Sequence, residues 1–217
     1  MILSVKNLKK TFKDGDKVLE VLKGVSFNLN KGDILTIKGP SGSGKSTLLS
    51  LLGTLDQPDS GEIIIDNNNL KDIKDYDLIR NTHIGFIFQF HNLISELNVV
   101  ENVTIPTLIA GKKIDEAYVN ELFDYFDLSS RKKSFPLDLS GGEKQRVSAM
   151  RAIINKPSIV IADEPTGNLD EHNAIKMINL FQKLNHDFNL TFVIATHDKK
   201  VFNIGDKKMN LYDGILL

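Results

Sequence analysis

The 217-residue sequence contains no cysteine. Disulfide bonds, thiolate metal sites and cysteine nucleophiles are therefore excluded, and the composition fits a reducing compartment. The sequence also lacks any apolar run of about 18 residues, so we expect no direct insertion into a membrane. The first six residues show no basic region leading into a long apolar stretch, and a secretory signal is not expected.

The sequence has no excess of either charge. Lys and Arg number 27 and Asp and Glu 28, which gives a net charge of −1. This balance disfavours a direct nucleic-acid partner, for which a basic excess or stripe is typical. With 41% hydrophobic residues and no repeat, the sequence predicts one globular domain over residues 1–217.

The order of apolar patterns predicts an α/β fold with two additions. Short β-like runs at 2–5, 18–21 and 25–29 predict an antiparallel layer at the start of the chain. Further strands are expected at 34–37, 84–88, 159–162 and 192–195, with helices at 47–55 and 173–184. Between 99 and 150 the pattern is helical, which predicts a helical insertion.

One stripe in this insertion has helical spacing and is interpreted as core packing. It consists of Ile114, Ala117, Tyr118, Leu122 and Phe126.

A phosphate-binding loop is the strongest motif. Residues 39–46 fit the pattern G-x-x-x-x-G-K-[ST], with a buried strand before them and a helix after them. Glycines and small residues allow backbone N–H groups to surround a phosphate, Lys45 supplies a positive charge, and the Ser46 hydroxyl can ligate Mg²⁺. The alternative is a flexible glycine turn with an incidental lysine. The predicted nucleotide-binding residues here are Gly39, Pro40, Ser41, Gly42, Ser43, Gly44, Lys45, Ser46 and Thr47.

Two acids, Asp163 and Glu164, end the apolar strand at 159–162. Two ionised carboxylates there would repel each other and lose hydration, which favours a nearby cation. Asp163 is therefore a candidate Mg²⁺ ligand and Glu164 the candidate general base for an attacking water. The alternative is a solvated exit from the strand.

A second glycine motif decides between families that share a phosphate loop. The run Leu139, Ser140, Gly141, Gly142, Glu143 resembles the LSGGQ-type signature of ABC ATPases, with glutamate at its fifth place. Ser140, Gly141 and Gly142 would form an open helix N-terminus, a favourable position for an anion. The resemblance implies that this anion is the γ-phosphate of ATP bound to the other subunit.

Four further positions match the family pattern. Gln89 resembles the glutamine that approaches Mg²⁺ and the attacking water, and His197 resembles the histidine that contacts the γ-phosphate. Asp170 resembles the acid that crosses the dimer interface, and Phe12 resembles the aromatic residue that stacks on adenine. The alternative for Phe12 is a place in the core. The resemblance thus implies catalytic roles for Glu164, His197, Gln89 and Lys45, and metal contacts for Ser46, Gln89 and Asp163.

The resemblance covers essentially the whole chain and implies a P-loop NTPase (RecA-like) core with its β-layer at about 1–88 and 155–217. The helical subdomain would span about 89–154 and face integral membrane permease subunits. It further implies ATP and Mg²⁺ as cofactors, a homodimer formed on ATP binding, and a peripheral position on the cytoplasmic face of the inner membrane.

Segments around Gln89 and Asp163 resemble one branch of the family, which includes lipoprotein-releasing, macrolide-export, cell-division and antimicrobial-peptide-resistance ATPases. The segments 89–93 and 106–113 favour the lipoprotein-releasing members. Two other classes stay open at this point, a soluble ABC ATPase acting on DNA or ribosomes and a P-loop kinase. The interval between the two glycine motifs has no sustained heptads, which disfavours the DNA-repair type. A kinase would have no use for the signature motif.

Overall fold

The computed structural model describes residues 1–15 and 17–217. In chain order the elements are β1 (Leu3–Asp14), β2 (Lys17–Leu29), β3 (Ile34–Lys38), α1 (Lys45–Leu52), β4 (Ser60–Ile65), β5 (Asn68–Asn69), α2 (Tyr76–His83), β6 (Ile84–Phe88), α3 (Val99–Ile109), α4 (Glu116–Tyr125), α5 (Gly141–Ile153), β7 (Ile159–Asp163), α6 (Glu171–Phe188), β8 (Thr191–Ala195), α7 (Lys199–Asn203), β9 (Lys207–Tyr212) and β10 (Ile215–Leu216).

These strands form two sheets. The first is antiparallel, in the order β2-β1-β4-β5, and is the β-layer predicted from the sequence. Its strands are longer than predicted, because the runs at 18–21 and 25–29 belong to the single strand β2. Gly24, at φ +97°, lies between the two runs, and the pairing with β1 shifts register nearby. A glycine with this conformation lets the strand bend without ending.

The second sheet has the order β10-β9-β3-β8-β7-β6, and its strands from β9 to β6 are parallel. Its central strands β7 and β8 are buried, as continuous apolar runs predict for strands covered on both faces. One cluster of buried side chains lies between the two sheets and includes α1. The other lies on the opposite face of the parallel sheet and includes α3, α4, α5 and α6.

The helical insertion is present as α3, α4 and α5 between β6 and β7. The stripe interpreted as core is buried at Leu122 and Phe126, but Ile114 lies before α4 and is 38% exposed. The buried face of α4 instead consists of Val119, Leu122 and Phe123. Within residues 1–15 and 17–217, none of the helices has the length and apolarity needed to cross a bilayer.

Candidate functional site

Parallel strands bring four of the predicted segments to one edge of the sheet. In the pairing register Phe88 lies opposite Asp163, Asp163 opposite Ala195, and Ala195 opposite Ile37. Gln89, Glu164, Thr196 and the phosphate loop each follow one of these strand ends. The carboxyl edge of a parallel sheet is where α/β proteins bind ligands, so the topology alone assembles a candidate site.

The phosphate loop joins β3 to α1, and its glycines are required by its shape. Gly44 adopts φ +101° directly before α1 begins at Lys45, so the first N–H groups of the helix lie next to the loop. A Cβ atom at Gly39 would lie 2.2 Å from the backbone oxygen of Leu211 in β9. Lys45 Nζ donates hydrogen bonds to Gly39 O (2.8 Å) and Pro40 O (2.9 Å), within the loop.

Ser46 and Asp163, two of the three predicted metal contacts, touch each other. Ser46 Oγ donates to Asp163 Oδ2 at 2.9 Å, which joins the start of α1 to the end of β7. Burial, assisted by the neighbouring charge of Glu164, raises the pKa of Asp163, whereas the Ser46 hydrogen bond and the charge of Lys45 act to lower it. The ionised carboxylate is therefore disfavoured where it stands, a situation that an adjacent cation relieves.

Glu164 and His197 form a second contact at this edge. His197 Nδ1 lies 2.8 Å from Glu164 Oε2, and the backbone N–H of His197 donates to the same oxygen at 3.1 Å. Glu164 has φ +46°, a left-handed conformation that costs free energy for a residue with a side chain. The cost of holding a residue in this region is characteristic of functional positions.

Phe12 lies in the wall of a cavity of about 690 Å³ that also contains the phosphate loop, Asp163, Glu164 and His197. Phe12 is 43% exposed, so the alternative that it is a core residue is wrong. Leu19, its pairing partner in β2, and Val21 extend this apolar wall. The cavity therefore has an apolar end at the β-layer and a polar end at the parallel sheet, and its volume is typical of small-molecule sites.

Gln89 is paired with Asn168 rather than directed into this cavity. Gln89 Nε2 donates to Asn168 Oδ1 (3.1 Å), and Asn168 Nδ2 donates back to Gln89 O (3.1 Å). A Cβ atom at Gly167 would lie 2.9 Å from Gln89 Nε2, so a side chain at this position would displace the end of the Gln89 side chain. The pair joins the end of β6 to the segment after Glu164, and among the described residues Gln89 does not line the cavity.

The signature residues lie apart from the cavity. Ser140 is the N-cap of α5: its backbone N–H and its Oγ both donate to Glu143 Oε2 at 2.8 Å. Arg131 Nε donates to the other carboxylate oxygen at 2.8 Å. Burial acts to raise the pKa of Glu143, but these hydrogen bonds outweigh it and hold the pKa below its ordinary value.

Gly142 of the same helix packs against the start of α6. A Cβ atom at Gly142 would lie 2.5 Å from Asn173 Oδ1, and Asn173 in turn donates to Asp170, the N-cap of α6. None of Ser140, Gly141, Gly142 and Asp170 is among the described residues that line the cavity. One chain thus presents two separate candidate surfaces, the cavity and the paired N-termini of α5 and α6.

A family model described as ABC transporter matches residues 22–167 of this sequence. The chain belongs to the ABC transporter family. It is an ATP-using ATPase of that family, in agreement with the signature motif.

Curated relatives with high identity share one name. The lipoprotein-releasing system ATP-binding protein LolD of Bacteroides fragilis is 46% identical over 203 residues, which cover 92% of this chain and 94% of that protein. LolD of Cytophaga hutchinsonii is 44% identical over 220 residues, covering 100% of this chain and 99% of that protein. The resemblance to the lipoprotein-releasing branch is therefore confirmed.

Solved structures agree with the fold. A dimeric structure of the ATP-binding cassette MJ0796 in a post-hydrolysis state bound to ADP and Pi has a TM-score of 0.89 and 38% identity, covering 99% of this chain and 96% of that one. CbiO1 from Clostridium perfringens, part of the ABC transporter complex CbiONQ, has a TM-score of 0.87 and 27% identity, covering 100% of this chain and 86% of that one. The predicted fold class, a P-loop NTPase core with added β-layer and helices, is confirmed.

Sequence reasoning missed several residues of the site. Leu19 and Val21 could have been found if the full length of β2 had been predicted, because the pairing of β2 with β1 then places Leu19 opposite Phe12. Asn168 and Asn173 carry no local signal, because their roles depend on contacts with Gln89 and Gly142 across the fold.

Proposed function

We propose that this chain binds Mg-ATP in the cavity beside its phosphate loop and hydrolyses it within a head-to-tail homodimer, which powers lipoprotein release by integral membrane permease subunits. The observation that carries the nucleotide chemistry is the contact between Ser46 Oγ and Asp163 Oδ2, in the cavity that Glu164 and Phe12 also line.

The residues present suit a magnesium ion. Mg²⁺ usually takes one or two protein oxygens and completes its shell with phosphates and water. Ser46 and Asp163 supply such a pair, and the described residues contain no cluster of three or more acidic, histidine or cysteine side chains that would suit a closed metal site. Gln89 would join them after exchanging its partner Asn168. When bound, the ion neutralises phosphate charge and orients the terminal phosphates.

The side chains of this chain then have separate tasks. Phe12 stacks on adenine, and Lys45 leaves its loop carbonyls to contact the terminal phosphates. The other residues of the loop, from Gly39 to Thr47, surround the phosphates, and all of them except Pro40 can supply backbone N–H groups. Glu164 accepts a proton from the attacking water, and His197, already 2.8 Å from that carboxylate, stabilises the charge of the γ-phosphate.

The second chain is required because the signature surface lies away from the cavity. Ser140, Gly141 and Gly142 begin a 13-residue helix whose N-terminal N–H groups and dipole favour an anion. In a two-fold dimer each such N-terminus would cover the nucleotide of its partner, with Asp170 near the boundary between chains. The dimeric form of the structurally similar cassette supports this arrangement.

Support for the cargo comes from the relatives, which carry the name of the lipoprotein-releasing system at 44–46% identity over most of the chain. This favours lipoprotein release over macrolide export or cell division. We infer that the segment after Gln89 and the helices α3, α4 and α5 form a helical subdomain, at about residues 89–154, that contacts the permease on the cytoplasmic face of the inner membrane.

Replacement of Glu164 by glutamine tests the proposed chemistry. The amide keeps the size of the side chain but cannot accept a proton, so hydrolysis should fall by about 10²–10⁴-fold while Mg-ATP binding persists. The variant should then accumulate as an ATP-dependent dimer, measured by sedimentation. Glu62→Gln, a surface acid paired with Lys6, is the matched control and should behave as the parent. Hydrolysis by Glu164→Gln at the parental rate would refute the assigned base.

The membrane role has a separate test. The complex purified from native membranes through this chain should contain integral membrane subunits, and in liposomes it should release a lipoprotein only when ATP is added. Release of no lipoprotein, with ATP-driven movement of a different cargo, would contradict the proposed function while leaving the ATPase intact.

A further inference from the structure

We propose that Lys10 and Asp59 are positioning residues that hold the Phe12 ring at a fixed distance from the phosphate loop and thereby set the affinity for the base of the nucleotide. The inference rests on the adenine-stacking role given to Phe12 in the proposed function. It extends that role to two residues outside the phosphate loop and the signature motif.

Asp59 fixes the backbone directly before Phe12. Its Oδ2 accepts hydrogen bonds from both the backbone N–H and the Oγ1 of Thr11, each at 2.6 Å. These bonds lower the pKa of the Asp59 carboxyl, so it stays ionised at neutral pH. The backbone oxygen of Lys9 also accepts a bond from the Asp59 N–H at 3.0 Å. Asp59 thus binds the residues before and after Lys10, and so fixes the end of β1 that carries Phe12.

Lys10 contacts the ring itself. It is 9% exposed, and its ammonium donates to Asp56 Oδ1 at 2.8 Å and Gln57 O at 2.7 Å. From there Nζ lies 5.1 Å from the centroid of the Phe12 ring, within the range of a cation–π interaction. Asp56 and Gln57 line a different cavity, of about 400 Å³, so the ammonium approaches the ring from the side of that loop.

All of these anchors belong to the loop that follows α1. That helix begins at Lys45 in the phosphate loop and ends at Leu52, and Arg80 Nη1 fixes the next turn by donating to Thr54 O at 2.7 Å. A rigid eight-residue helix therefore separates the phosphate loop from the residues that hold Phe12. We infer that the distance between the Phe12 ring and the phosphate loop is set by the length of α1 and not by the flexibility of β1.

The electrostatic consequence concerns the face of the ring that remains open to the cavity. A cation near the ring draws electron density toward itself, which reduces π–π repulsion with a base stacked on the other face. Lys10 would therefore do two things: hold the ring in place and make it a better partner for an electron-rich base. Both effects act on binding of the base and neither touches the reacting phosphates.

The test compares Lys10→Met and Asp59→Ala with the parent in three measurements: KM for ATP, kcat, and inhibition by inorganic tripolyphosphate, which has no base. We expect KM to rise about threefold to tenfold in each variant, the size of a lost cation–π or charged hydrogen-bond contact. kcat and the inhibition constant of tripolyphosphate should stay at parental values. Lys6→Met removes an ion-paired lysine at the other end of β1 and is the control.

Two results would overturn the inference. Unchanged KM in both variants would show that the contacts do not position the ring. If the rise in KM is accompanied by an equal loss of tripolyphosphate affinity or by a loss of kcat, the contacts support the whole phosphate loop instead. Asp59 is exposed, so Asp59→Ala keeps the test valid if Lys10→Met fails to fold. Phe12→Ala separates the adenine role of Phe12 from the positioning role of Lys10 and Asp59. If Phe12→Ala leaves KM unchanged, the adenine role in the proposed function fails. If Phe12→Ala raises KM but the Lys10 and Asp59 variants do not, only the positioning role is refuted.

Discussion

Replacement of Asp163 by asparagine should stabilise the chain without nucleotide and remove its response to Mg-ATP. The carboxylate stands at the end of β7, where burial and the charge of Glu164 raise its pKa. A raised pKa means that the ionised form is less stable in the folded chain than in the unfolded one. Asparagine has nearly the same shape, carries no charge, and can still accept the hydrogen bond from Ser46 Oγ.

The size of the effect follows from the competing contacts. Ser46 and Lys45 compensate part of the cost, and Asp163 is only partly buried, so solvent screens part of the rest. We therefore expect a gain of at most about 1 kcal/mol, as is common when a residue needed for function is replaced by one that only stabilises the fold. For a chain of this length that corresponds to an increase in Tm of about 2–4 °C. The parent, in contrast, should gain stability when Mg-ATP is added, by mass action, and the variant should gain much less.

The pH dependence of the difference in Tm tests whether the ionised Asp163 carboxylate destabilises the folded chain. The disadvantage of the ionised carboxylate is fully present above its raised pKa and is lost as the pH falls through that value toward the ordinary 3.8. The difference in Tm between variant and parent should therefore be widest near pH 7.5 and close under acid conditions.

Asp33, at the turn before β3, is a matched control with the opposite expectation. Burial acts to raise its pKa, but hydrogen bonds from the Asn30 backbone and from Lys207 outweigh it, so the pKa is lowered. Asp33→Asn should lower Tm at neutral pH. Both expectations are measured by thermal unfolding of the variants. If Asp163→Asn unfolds at or below the parental temperature without nucleotide, the argument that the ionised carboxylate destabilises the fold is refuted. If Asp163→Asn keeps the full response to Mg-ATP, the metal role of Asp163 is refuted.

Three further predictions concern the phosphate loop and its partner surface. Lys45→Ala should weaken Mg-ATP binding in calorimetry by at least about tenfold, since a charged contact to phosphate is lost, and unchanged affinity would contradict the assignment. An equal mixture of Ser140→Arg and Lys45→Ala chains should regain roughly a quarter of the parental ATPase activity. Half of the dimers would contain one chain of each kind, and each of these would hold one intact site, made of the phosphate loop of one chain and the signature motif of the other. Inactivity of the well-folded mixture would argue against sites shared between chains, or show that both sites must work together. Gly39→Ala should lower Tm sharply because its Cβ would lie 2.2 Å from Leu211 O, whereas Gly42→Ala, at φ +77° in open space, should cost only about 1–2 kcal/mol.

The sequence predicted the parts of the fold that have continuous apolar patterns. The strands β3, β6, β7 and β8 are such runs, and their burial on both faces removes ambiguity about which side faces the core. The helix predicted at 173–184 is present but longer, from Glu171 to Phe188, because Asp170 caps its start and Asn189 ends it in a left-handed conformation.

Other elements depend on contacts that no local pattern records. The runs at 18–21 and 25–29 were predicted as separate strands, and they form the single strand β2 because β1 pairs with both of them. The strand β9, with Lys207 and Lys208, is held by parallel pairing with β3 and covers the edge next to the phosphate loop. The helix α2 is short, and only Ile79 of it is buried, so its apolar signal is weak.

For the site, the motifs predicted which residues come together but not what they touch. Phe12, the phosphate loop, Asp163, Glu164 and His197 share one cavity, whereas the assigned chemical roles of these residues stay predictions. Gln89 shows the difference: a motif assigns it to the metal, and the structure gives its side chain a partner in Asn168. Such a contact joins residues 79 positions apart, and only the fold determines it.

Three of the functional side chains in the cavity are already bonded to other groups of the protein, and this has a consequence for how ATP acts. Lys45 is bound to loop carbonyls, Ser46 to Asp163, and Glu164 to His197. Binding of Mg-ATP would exchange these contacts for contacts to phosphate and metal, so a large part of the gross interaction energy would be spent on the exchange. The net gain would be small within one chain and would grow when the helix N-terminus of a second chain adds its own contacts to the γ-phosphate. Closure of the dimer would then depend on the γ-phosphate, since a ligand shifts an equilibrium only by its differential affinity for the two states.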